Sequence, residues 1–507
     1  IMEKFKYIIL MILFFSVVLS SKSQYFGRNK VNYERFDFKI YETPHFQIYH
    51  YMENEEFLEA FGSLAERWYL RHQQLFLDTI KKKSPIILYN NHADFQQNTV
   101  SQSMIGVGTG GFTEGYRNRV VMPVSPSNYE TNHVLGHEMV HVFQYSLFQQ
   151  SDSVGLRSMN NIPLWMIEGL AEYASIGDVD PQTAMWLRAA VLADDIPTIR
   201  QMTRKPSQYF PYRYGHAMWS FITDIWGDDV VLPLVMMTGK LGYERAMDSL
   251  LFIKPDSVSA LWKNSVKQMY SSYLSSKDTA NGELLFDEKN AGSLNLAPSV
   301  SPDGEEIIFV TDKQVITTDY FLADVDKKKT IKRITKVTRQ AHVDNYSYLE
   351  SAGTWSPDGN QFALTTFSEG KNKLLIIDKQ NNYKIEQLDI KGLQAFSNPS
   401  WSPDGESVIL SGLQNGQSDL YEYFLDSRKL KQLTNDPYSD LQPEWSPDGE
   451  MIVFISDRGK ETKIEEGEYG SYRLSLLSTD DDKIRTLAIF PGANNTSPQF
   501  TSDGRSL

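Results

Sequence analysis

The sequence predicts a multidomain protein in which an α+β domain with a helical lobe precedes an all-β propeller. The chain of 507 residues is longer than one hydrophobic core usually organises. Its first half alternates strand-like and helix-like patterns. From residue 281 a turn motif recurs at intervals of about 44 to 55 residues, near the length of a four-stranded propeller blade. We place a signal peptide at residues 1–23, the α+β domain at 24–280 and the propeller repeats at 281–507.

The N-terminus has the pattern of an export signal. Lys4 and Lys6 form a charged start, Tyr7 to Ser20 is almost wholly apolar, and Ser21 to Ser23 offers small residues at a cleavage site. Because the apolar run is shorter than the ~20 residues of a membrane-spanning helix, we favour a cleaved signal over an uncleaved anchor. We expect no transmembrane segment after cleavage.

Composition narrows the range of functions. A net charge of -14 and a pI near 5.2 argue against a nucleic-acid surface, which needs clustered Lys and Arg. The chain has no cysteine, which removes disulfides, thiolate metal ligands and a cysteine nucleophile. Any metal site must therefore use histidine and carboxylate.

The α+β domain begins with short strand patterns around one long helix. Residues 38–41 and 45–51 alternate in the period of paired strands, and Glu55 to Phe76 has helical spacing. Ser84 to Tyr89 and Arg119 to Pro123 are further strands, the latter ending where proline can no longer donate to a ladder.

A glycine-rich loop and a run of helices follow. The loop, Gly106 to Gly115, is either a surface turn or a segment that contacts substrate. The next helices are predicted at Asn132 to Leu147 and at Ile162 to Ala174. Met185 to about Ser276 has apolar 3.6-residue spacing, including a helix at Val258 to Leu274, and forms the helical lobe.

The first of these two helices carries the motif that points to a chemistry. His137 and His141 are four residues apart and share a helical face, so both can bind one metal ion with Glu138 beside them. A catalytic zinc site uses three protein ligands and a water, and Glu168 on the next helix supplies the third ligand.

These two segments resemble the gluzincin metallopeptidases, the zincin-like class of zinc proteases that includes thermolysin and aminopeptidase N. The match covers residues 137–141 and 165–173, the latter containing the Glu-Gly-hydrophobic-Ala pattern. It implies Zn²⁺ as the cofactor and a peptide bond as the substrate. By this resemblance, the zinc ligands are His137, His141 and Glu168, and the general base is Glu138.

Three further residues are candidates with alternatives. Glu172 is predicted to hold a ligand histidine through its free N–H, and otherwise is a third ligand or a solvated carboxylate. Tyr212 precedes a glycine at the spacing seen in aminopeptidase N, so it is the favoured donor of a hydrogen bond to the oxyanion. Tyr214 and His216 are the next candidates for this role. The alternative is that these residues are ordinary core aromatics. His133 either lines the cleft or contributes to a second metal site.

Two departures from aminopeptidase N bear on specificity. The interval between His141 and Glu168 is longer, and the Gly-Ala-Met-Glu-Asn segment that grips a free amine is absent. We therefore favour an endopeptidase, in which Gly111, Phe112 and Thr113 bind substrate as an edge strand through backbone groups.

The repeats share a Ser-Pro-Asp-Gly turn, preceded by a large apolar residue and followed by an alternating strand. Proline presets φ, aspartate bonds back to the backbone and glycine takes positive φ. They resemble TolB-like β-propellers of bacterial envelope proteins of Bacteroidetes type. We expect an incomplete propeller, with a complete four-bladed one as the alternative. The motifs begin at Ser301, Ser356, Ser402 and Ser446, with a weaker copy at Thr501.

Two functions are consistent with this organisation. The first is an exported zinc peptidase, periplasmic, outer-membrane associated or secreted in a Gram-negative bacterium, whose propeller recruits or gates a polypeptide substrate. The alternative is a non-catalytic envelope scaffold with a structural or vestigial zinc site, whose propeller binds a protein partner. A fourth protein ligand on zinc, such as His133, would favour the scaffold.

Overall fold

A mixed five-stranded sheet forms the base of the N-terminal domain. The computed structural model describes residues 32–77, 80–151, 155–275, 282–314, 317–335, 345–346, 348, 351–487, 490 and 492–507, so the predicted signal peptide lies outside the described residues. The strand order is β1-β2-β3-β5-β4, with β2, β3 and β5 parallel and with β1 and β4 antiparallel to their neighbours. The strands are β1 (Lys39–Glu42), β2 (Phe46–His50), β3 (Ser84–Tyr89), β4 (Phe112–Glu114) and β5 (Arg119–Pro123).

Helices follow the parallel strands and then form the lobe behind the sheet. Short 3₁₀ helices at Leu156–Asn161 and Asp228–Val230 join some of them. The α-helices are α1 (Glu55–Phe76), α2 (His92–Gln96), α3 (Asn128–Gln150), α4 (Leu164–Ile176), α5 (Pro181–Leu192), α6 (Ile199–Arg204), α7 (Pro211–Trp226), α8 (Val231–Leu241), α9 (Tyr243–Leu250), α10 (Pro255–Met269) and α11 (Ser271–Ser275).

Several predicted boundaries were wrong for local reasons. Helix α3 begins at Asn128, one turn earlier than predicted, because Ser127 caps it by accepting from the Glu130 N–H at 3.1 Å. The helix predicted at 258–274 is two helices, since Tyr270 leaves the α region with φ -106° and ψ 13°. The glycine-rich segment 106–115 is loop except for its edge strand, which was predicted at Gly111 to Thr113 and is observed as β4 (Phe112–Glu114).

Close packing of α3 against α1 sets the position of the histidine pair. Gly136 lies under the indole of Trp68, where a Cβ atom would come within 2.7 Å of the ring. On the same face of α1, the His72 Nε2 donates to the Gly136 carbonyl oxygen at 2.9 Å. The side of α3 next to the histidines therefore cannot slide against α1 without steric overlap.

Within the described residues, the C-terminal region contains four antiparallel sheets, each with the topology of a propeller blade. In the second, the short strand β11 also pairs with β12. The blades are β6 (Asn295–Val300), β7 (Glu306–Gln314), β8 (Thr317–Asp324) and β9 (Lys329–Arg333); β10 (Asn345–Tyr346), β11 (Thr354–Trp355), β12 (Gln361–Ser368), β13 (Lys371–Asp378) and β14 (Lys384–Leu388); β15 (Ala395–Trp401), β16 (Ser407–Gln414), β17 (Gln417–Phe424) and β18 (Leu430–Gln432); and β19 (Asp440–Trp445), β20 (Met451–Ser456), β21 (Arg473–Ser478) and β22 (Ile484–Thr486).

The repeated tryptophans link the second and third blades to the blades before them. The Trp355 indole N–H donates to the Ser299 carbonyl of the first blade at 3.0 Å, and Trp401 donates to the Thr354 carbonyl of the second at 3.3 Å. Within each turn the serine hydroxyl donates to the aspartate two residues later, as Ser402 does to Asp404 at 2.6 Å. The motif therefore shapes the hairpin and stacks the blades.

The propeller docks where the parallel strands of the sheet end and the helices begin. The N-cap residue of α1, Asn54, donates to the Asn415 carbonyl oxygen at 3.0 Å. The N-cap residue of α3, Ser127, is hydrogen bonded to the Tyr472 hydroxyl at 2.5 Å. The first turn of the helix that carries the histidine pair is thus attached to the fourth blade. In the described residues, no helix is long and apolar enough to cross a membrane.

Candidate metal centre

Helices α3 and α4 bring three predicted ligands to one point. The Nε2 atoms of His137 and His141 are 3.3 Å apart, and each lies 3.3 Å from the Oε2 atom of Glu168. These side chains are largely buried. The three donor atoms form a nearly equilateral triangle.

This triangle fits a zinc ion. Four tetrahedral ligands at about 2.0 to 2.1 Å from zinc lie about 3.3 to 3.4 Å from one another, which is the spacing of the three donor atoms. The Glu168 Oε2 atom is buried and, among the described residues, makes no well-aligned hydrogen bond, although it faces both imidazoles. The three residues supply three of four tetrahedral positions.

Charge within the cluster reinforces this arrangement. Burial lowers the pKa of both imidazoles. The hydrogen bonds and negative charges of Glu168 and the neighbouring glutamates raise these pKa values by more than burial lowers them. The pKa of His137 rises to about 10 and that of His141 also rises. Burial likewise opposes ionisation of Glu168, yet the imidazoles hold its pKa well below its usual range. A metal ion that binds here must displace protons from the histidines.

Glu138 lies beside the triangle and is oriented by the edge strand β4. It is only 5% exposed, and its Oε2 atom accepts a hydrogen bond from the Thr113 hydroxyl at 2.8 Å. The Gly111 position lies against the Glu138 side chain, since a Cβ there would be 3.3 Å from its Cγ atom. Thr113, predicted to bind substrate, thus directs its side chain to the predicted base. Among the strands that the structure describes, none pairs with the outer edge of β4.

Glu172 connects His137 to a buried network that the sequence did not reveal. Its Oε1 atom lies 3.0 Å from the His137 Nδ1 atom and 3.3 Å from the His133 Nε2 atom. Its Oε2 atom accepts from Arg213 at 2.9 Å, and Arg213 also donates to Asp180 at 3.1 Å. This contact with the Nδ1 atom leaves the His137 Nε2 atom to face the triangle.

The second histidine is oriented in a similar way. The His141 Nδ1 atom lies 2.9 Å from the Gln144 Oε1 atom, and the Gln144 amide donates to the Ile167 carbonyl at 3.2 Å. This chain of contacts joins α3 to α4 next to Glu168. Gln144 was missed in the sequence, although its spacing of three residues from His141 places both on one helical face.

Only one of the three oxyanion candidates lies at the triangle. The Tyr212 ring stacks on His137 with centroids 5.6 Å apart and planes 13° apart, and its hydroxyl interacts with Glu168. Burial and the charge of Glu168 raise the pKa of Tyr212 above its ordinary value, so the phenol keeps its proton. His216 instead donates to the Gly177 carbonyl at 2.7 Å, and Tyr214 packs against Trp186.

A second cluster of metal-ligating groups shares His137 with the first. His133, His137 and Glu172 also bring donor atoms close together. Here, however, Arg213 already binds Glu172, and the shared His137 atom is Nδ1 rather than Nε2. The geometry is that of an orienting network behind the triangle.

Comparison with known proteins matches the repeat region. A family model described as the TolB beta propeller domain matches residues 338–507. The Tol-Pal system protein TolB of Ruthia magnifica subsp. Calyptogena magnifica is 35% identical over 85 residues, which are 16% of this chain and 19% of that protein. The protein of the same name from Vesicomyosocius okutanii subsp. Calyptogena okutanii is 34% identical over 74 residues, or 14% of this chain and 17% of that protein. The chain therefore spans about a fifth of the length of these relatives.

Solved structures also align with this chain. TolB from Acinetobacter baumannii aligns with a TM-score of 0.36 and 18% identity, over 45% of this chain and 51% of that chain. A puromycin hydrolase aligns with a TM-score of 0.29 and 17% identity, over 41% of this chain and 30% of that chain. The four blade-like sheets, their repeated turns and the family match show that the C-terminal region contains a TolB-like β-propeller domain.

Proposed function

We propose that the protein is a zinc-dependent peptidase with a zincin-like N-terminal domain. The observation that carries the proposal is the triangle of His137, His141 and Glu168 donor atoms, spaced for tetrahedral zinc, with the Glu138 carboxylate beside it. Glu172 and Gln144 orient the two imidazoles, as expected of a site built to hold a metal.

Each residue has a role in peptide hydrolysis. A bound zinc ion supplies Lewis acidity toward the substrate carbonyl and a water acidic enough to ionise near neutral pH. Glu138 accepts a proton from the attacking water and passes it to the leaving amine. The Tyr212 phenol, protonated at neutral pH, donates a hydrogen bond to the developing oxyanion. Thr113 holds the Glu138 carboxylate in place.

The substrate is an extended polypeptide that pairs with the outer edge of β4. Because β4 is the last strand of this sheet in the described part of the chain, its outer backbone groups pair with no described strand and can add a peptide strand. This mode of binding favours an endopeptidase. The propeller, which contacts α3 about 15 Å along the helix from His137, recruits or gates the polypeptide from the bacterial envelope. The signal-like N-terminus supports export to the periplasm, the outer membrane or the exterior.

The proposal is tested with purified protein loaded with one equivalent of zinc. We expect cleavage of an unfolded polypeptide such as reduced, alkylated casein, with loss of activity on chelation and recovery on zinc addition. Glu138→Gln should bind zinc as the parent does and lower kcat by a factor of about 10² to 10⁴, because the general base is lost. A Glu138→Gln variant that cleaves as fast as the parent would end the proposal.

A non-catalytic envelope scaffold is the second candidate, favoured by the TolB-like propeller domain. In that case zinc would be structural and a fourth protein ligand would fill its last position. His133 lies near the Nδ1 side of His137 and contacts Glu172, whereas the triangle uses the Nε2 side, which supports the peptidase over the scaffold. Zinc binding without hydrolysis of any unfolded protein would favour the scaffold.

A further inference from the structure

Aromatic rings form a continuous stack from the surface of the helical lobe to the candidate metal centre. Tyr212 stacks on His137, and Phe210 stacks on Tyr212 with centroids 5.0 Å apart and planes 28° apart. The Trp186 ring lies 5.7 Å from that of Phe210, inclined by 31°. The inner end of this stack is a predicted zinc ligand.

The outer end of the stack is open to solvent. Phe210 is 41% exposed and Trp186 is 36% exposed, although both are large aromatic side chains. Phe210 occupies the N-cap position of α7, immediately before Pro211, and Trp186 lies on α5. Because the two rings come from different helices and meet at the protein surface, they form one exposed apolar surface.

We propose that Phe210 and Trp186 form a specificity subsite for an aromatic or large aliphatic side chain of the substrate, next to the bond that is cut. This inference rests on the proposed peptidase function and names the substrate class of that site. The link to the scissile bond is Tyr212, since its ring touches both Phe210 and His137.

The chemistry of the surface favours an apolar occupant over a cationic one. Aromatic rings attract other rings and aliphatic groups at centroid distances of about 4.5 to 7 Å, and burial of such a side chain is favourable. The Glu172 carboxylate lies close enough to Tyr212 to contribute to its raised pKa. Glu172 is paired with Arg213, so the negative charge of Glu172 is compensated. A lysine or arginine side chain would gain no free carboxylate from it.

Cleavage-site mapping with a randomised peptide library tests the inference. We expect aromatic and large aliphatic residues to be enriched at one of the two positions that flank the cut bond. For two peptides that differ only by Phe or Ala at that position, Phe210→Ala and Trp186→Ala should lower kcat/KM for the Phe peptide about tenfold. Cleavage of the Ala peptide should change less than twofold.

Matched variants keep the result interpretable. Phe210→Tyr keeps an aromatic ring at this position and keeps the fold of the α7 N-terminus. Unlike Phe210→Ala, it should therefore retain the preference for the Phe peptide. Phe252→Ala serves as the control, since Phe252 is 89% exposed and follows α9, outside the aromatic stack. Equal losses on both peptides, or no loss on either, would overturn the subsite.

A binding arm separates failure of the subsite from failure of the proposed hydrolysis. Zinc-loaded Glu138→Gln is titrated with the same two peptides, each fluorescently labelled. We expect the Phe peptide to bind about tenfold more tightly than the Ala peptide, and the double variant Glu138→Gln with Phe210→Ala to lose this difference. That result supports the subsite even if the parent cleaves neither peptide. Equal binding of both peptides overturns it, even if the parent is an active peptidase.

Discussion

At the scale of single residues, the functional roles depend on hydrogen bonds that orient a reactive group. Thr113 donates to Glu138, and Arg213 donates to Glu172, which in turn faces His137. Neither Thr113 nor Arg213 belongs to a metal-binding motif. Their effects should therefore appear in rate or in metal affinity while the fold is kept.

Replacing the Thr113 side chain tests whether its hydroxyl orients the Glu138 carboxylate, separately from the backbone pairing of β4. We expect Thr113→Val to lower kcat about tenfold or more with little change in KM, because a hydrogen bond to a charged group contributes about 1.5 to 3 kcal/mol. Thr113→Ser keeps the hydroxyl and should stay within threefold of the parent. Steady-state kinetics on one casein-derived peptide make the comparison, and equal kcat values for the Val and Ser variants would contradict this role.

Replacing Arg213 tests the network behind His137. Arg213→Met should weaken zinc binding about 10- to 100-fold, because Glu172 loses the partner that aligns it with His137. The measurement is competition with a chromophoric chelator. As a control, Arg200→Met removes an exposed arginine whose pairing with Asp256 is long at 4.0 Å, and it should leave zinc affinity unchanged. Unchanged affinity in Arg213→Met would remove Arg213 from the account.

At the scale of elements, two glycines determine how closely α4 and α7 pack. A Cβ at Gly169 would lie 2.2 Å from the Gly215 carbonyl carbon, and one at Gly215 would lie 2.2 Å from the Trp165 carbonyl oxygen. Backbone thus meets backbone at this crossing. Glu168 precedes one glycine and Tyr212 lies one turn before the other, so the crossing sets the distance between the third ligand and the phenol.

A methyl group at this crossing should damage fold and site together. We expect Gly169→Ala to lower the free energy of unfolding by about 3 kcal/mol and to weaken zinc binding, because the backbone of α4 must move away from α7. Gly155→Ala is the matched control, since a Cβ at Gly155 meets no atom within 4 Å. Thermal unfolding and zinc titration of both variants make the comparison. A Gly169→Ala protein as stable as Gly155→Ala would refute the close packing of α4 against α7 as the cause.

At the scale of the whole molecule, the propeller is attached to α3, the helix that carries the histidine pair, through buried polar groups. Asp457, at the end of the fourth blade's second strand, accepts from the Ser439 N–H at 2.8 Å, and the Ser439 hydroxyl accepts from the Asn128 N–H at 2.9 Å. Burial raises the pKa of Asp457 from 3.8 to about 6, although these hydrogen bonds act in the opposite direction. The junction therefore contains a group that titrates between acid and neutral pH.

The sign of the pH effect follows from that raised pKa. The folded protein holds the Asp457 proton more tightly than the unfolded chain, so this group favours folding at low pH and the contribution is lost as pH rises through about 6. Asp457→Asn cannot ionise. Between pH 4.5 and pH 7.5, we expect the stability of Asp457→Asn relative to the parent to increase by on the order of 2 kcal/mol. The thermal midpoints of both proteins at each pH make the comparison. Parallel curves for the two proteins would contradict the assignment.

Much of this organisation is local enough to be predicted from sequence. The 3.6-residue spacing of α1 and the two-residue spacing of β3 predicted their bounds, and the serine-proline-aspartate-glycine turns predicted the blades. The spacing of His137 and His141 predicted that they share a face, and the structure places Glu168 against them. These features depend on short segments whose patterns are independent of the rest of the fold.

What could not be predicted depends on contacts between distant segments. Arg213 reaches Glu172 only because α7 crosses α4, and Thr113 reaches Glu138 only because β4 lies at the sheet edge above α3. The Ser127 cap of α3 also bonds to a tyrosine 345 residues away in the chain, a pairing that the sequence does not reveal. No periodicity in the sequence encodes such pairings.

Anomalous diffraction at the zinc edge from crystals of the zinc-loaded protein tests the central claim most directly. We expect one peak about 2.0 to 2.2 Å from the His137 and His141 Nε2 atoms and from a Glu168 oxygen, with a solvent molecule in the fourth position beside Glu138. A peak between His133 and Glu172, or a fourth protein side chain bound to the metal, would contradict the account.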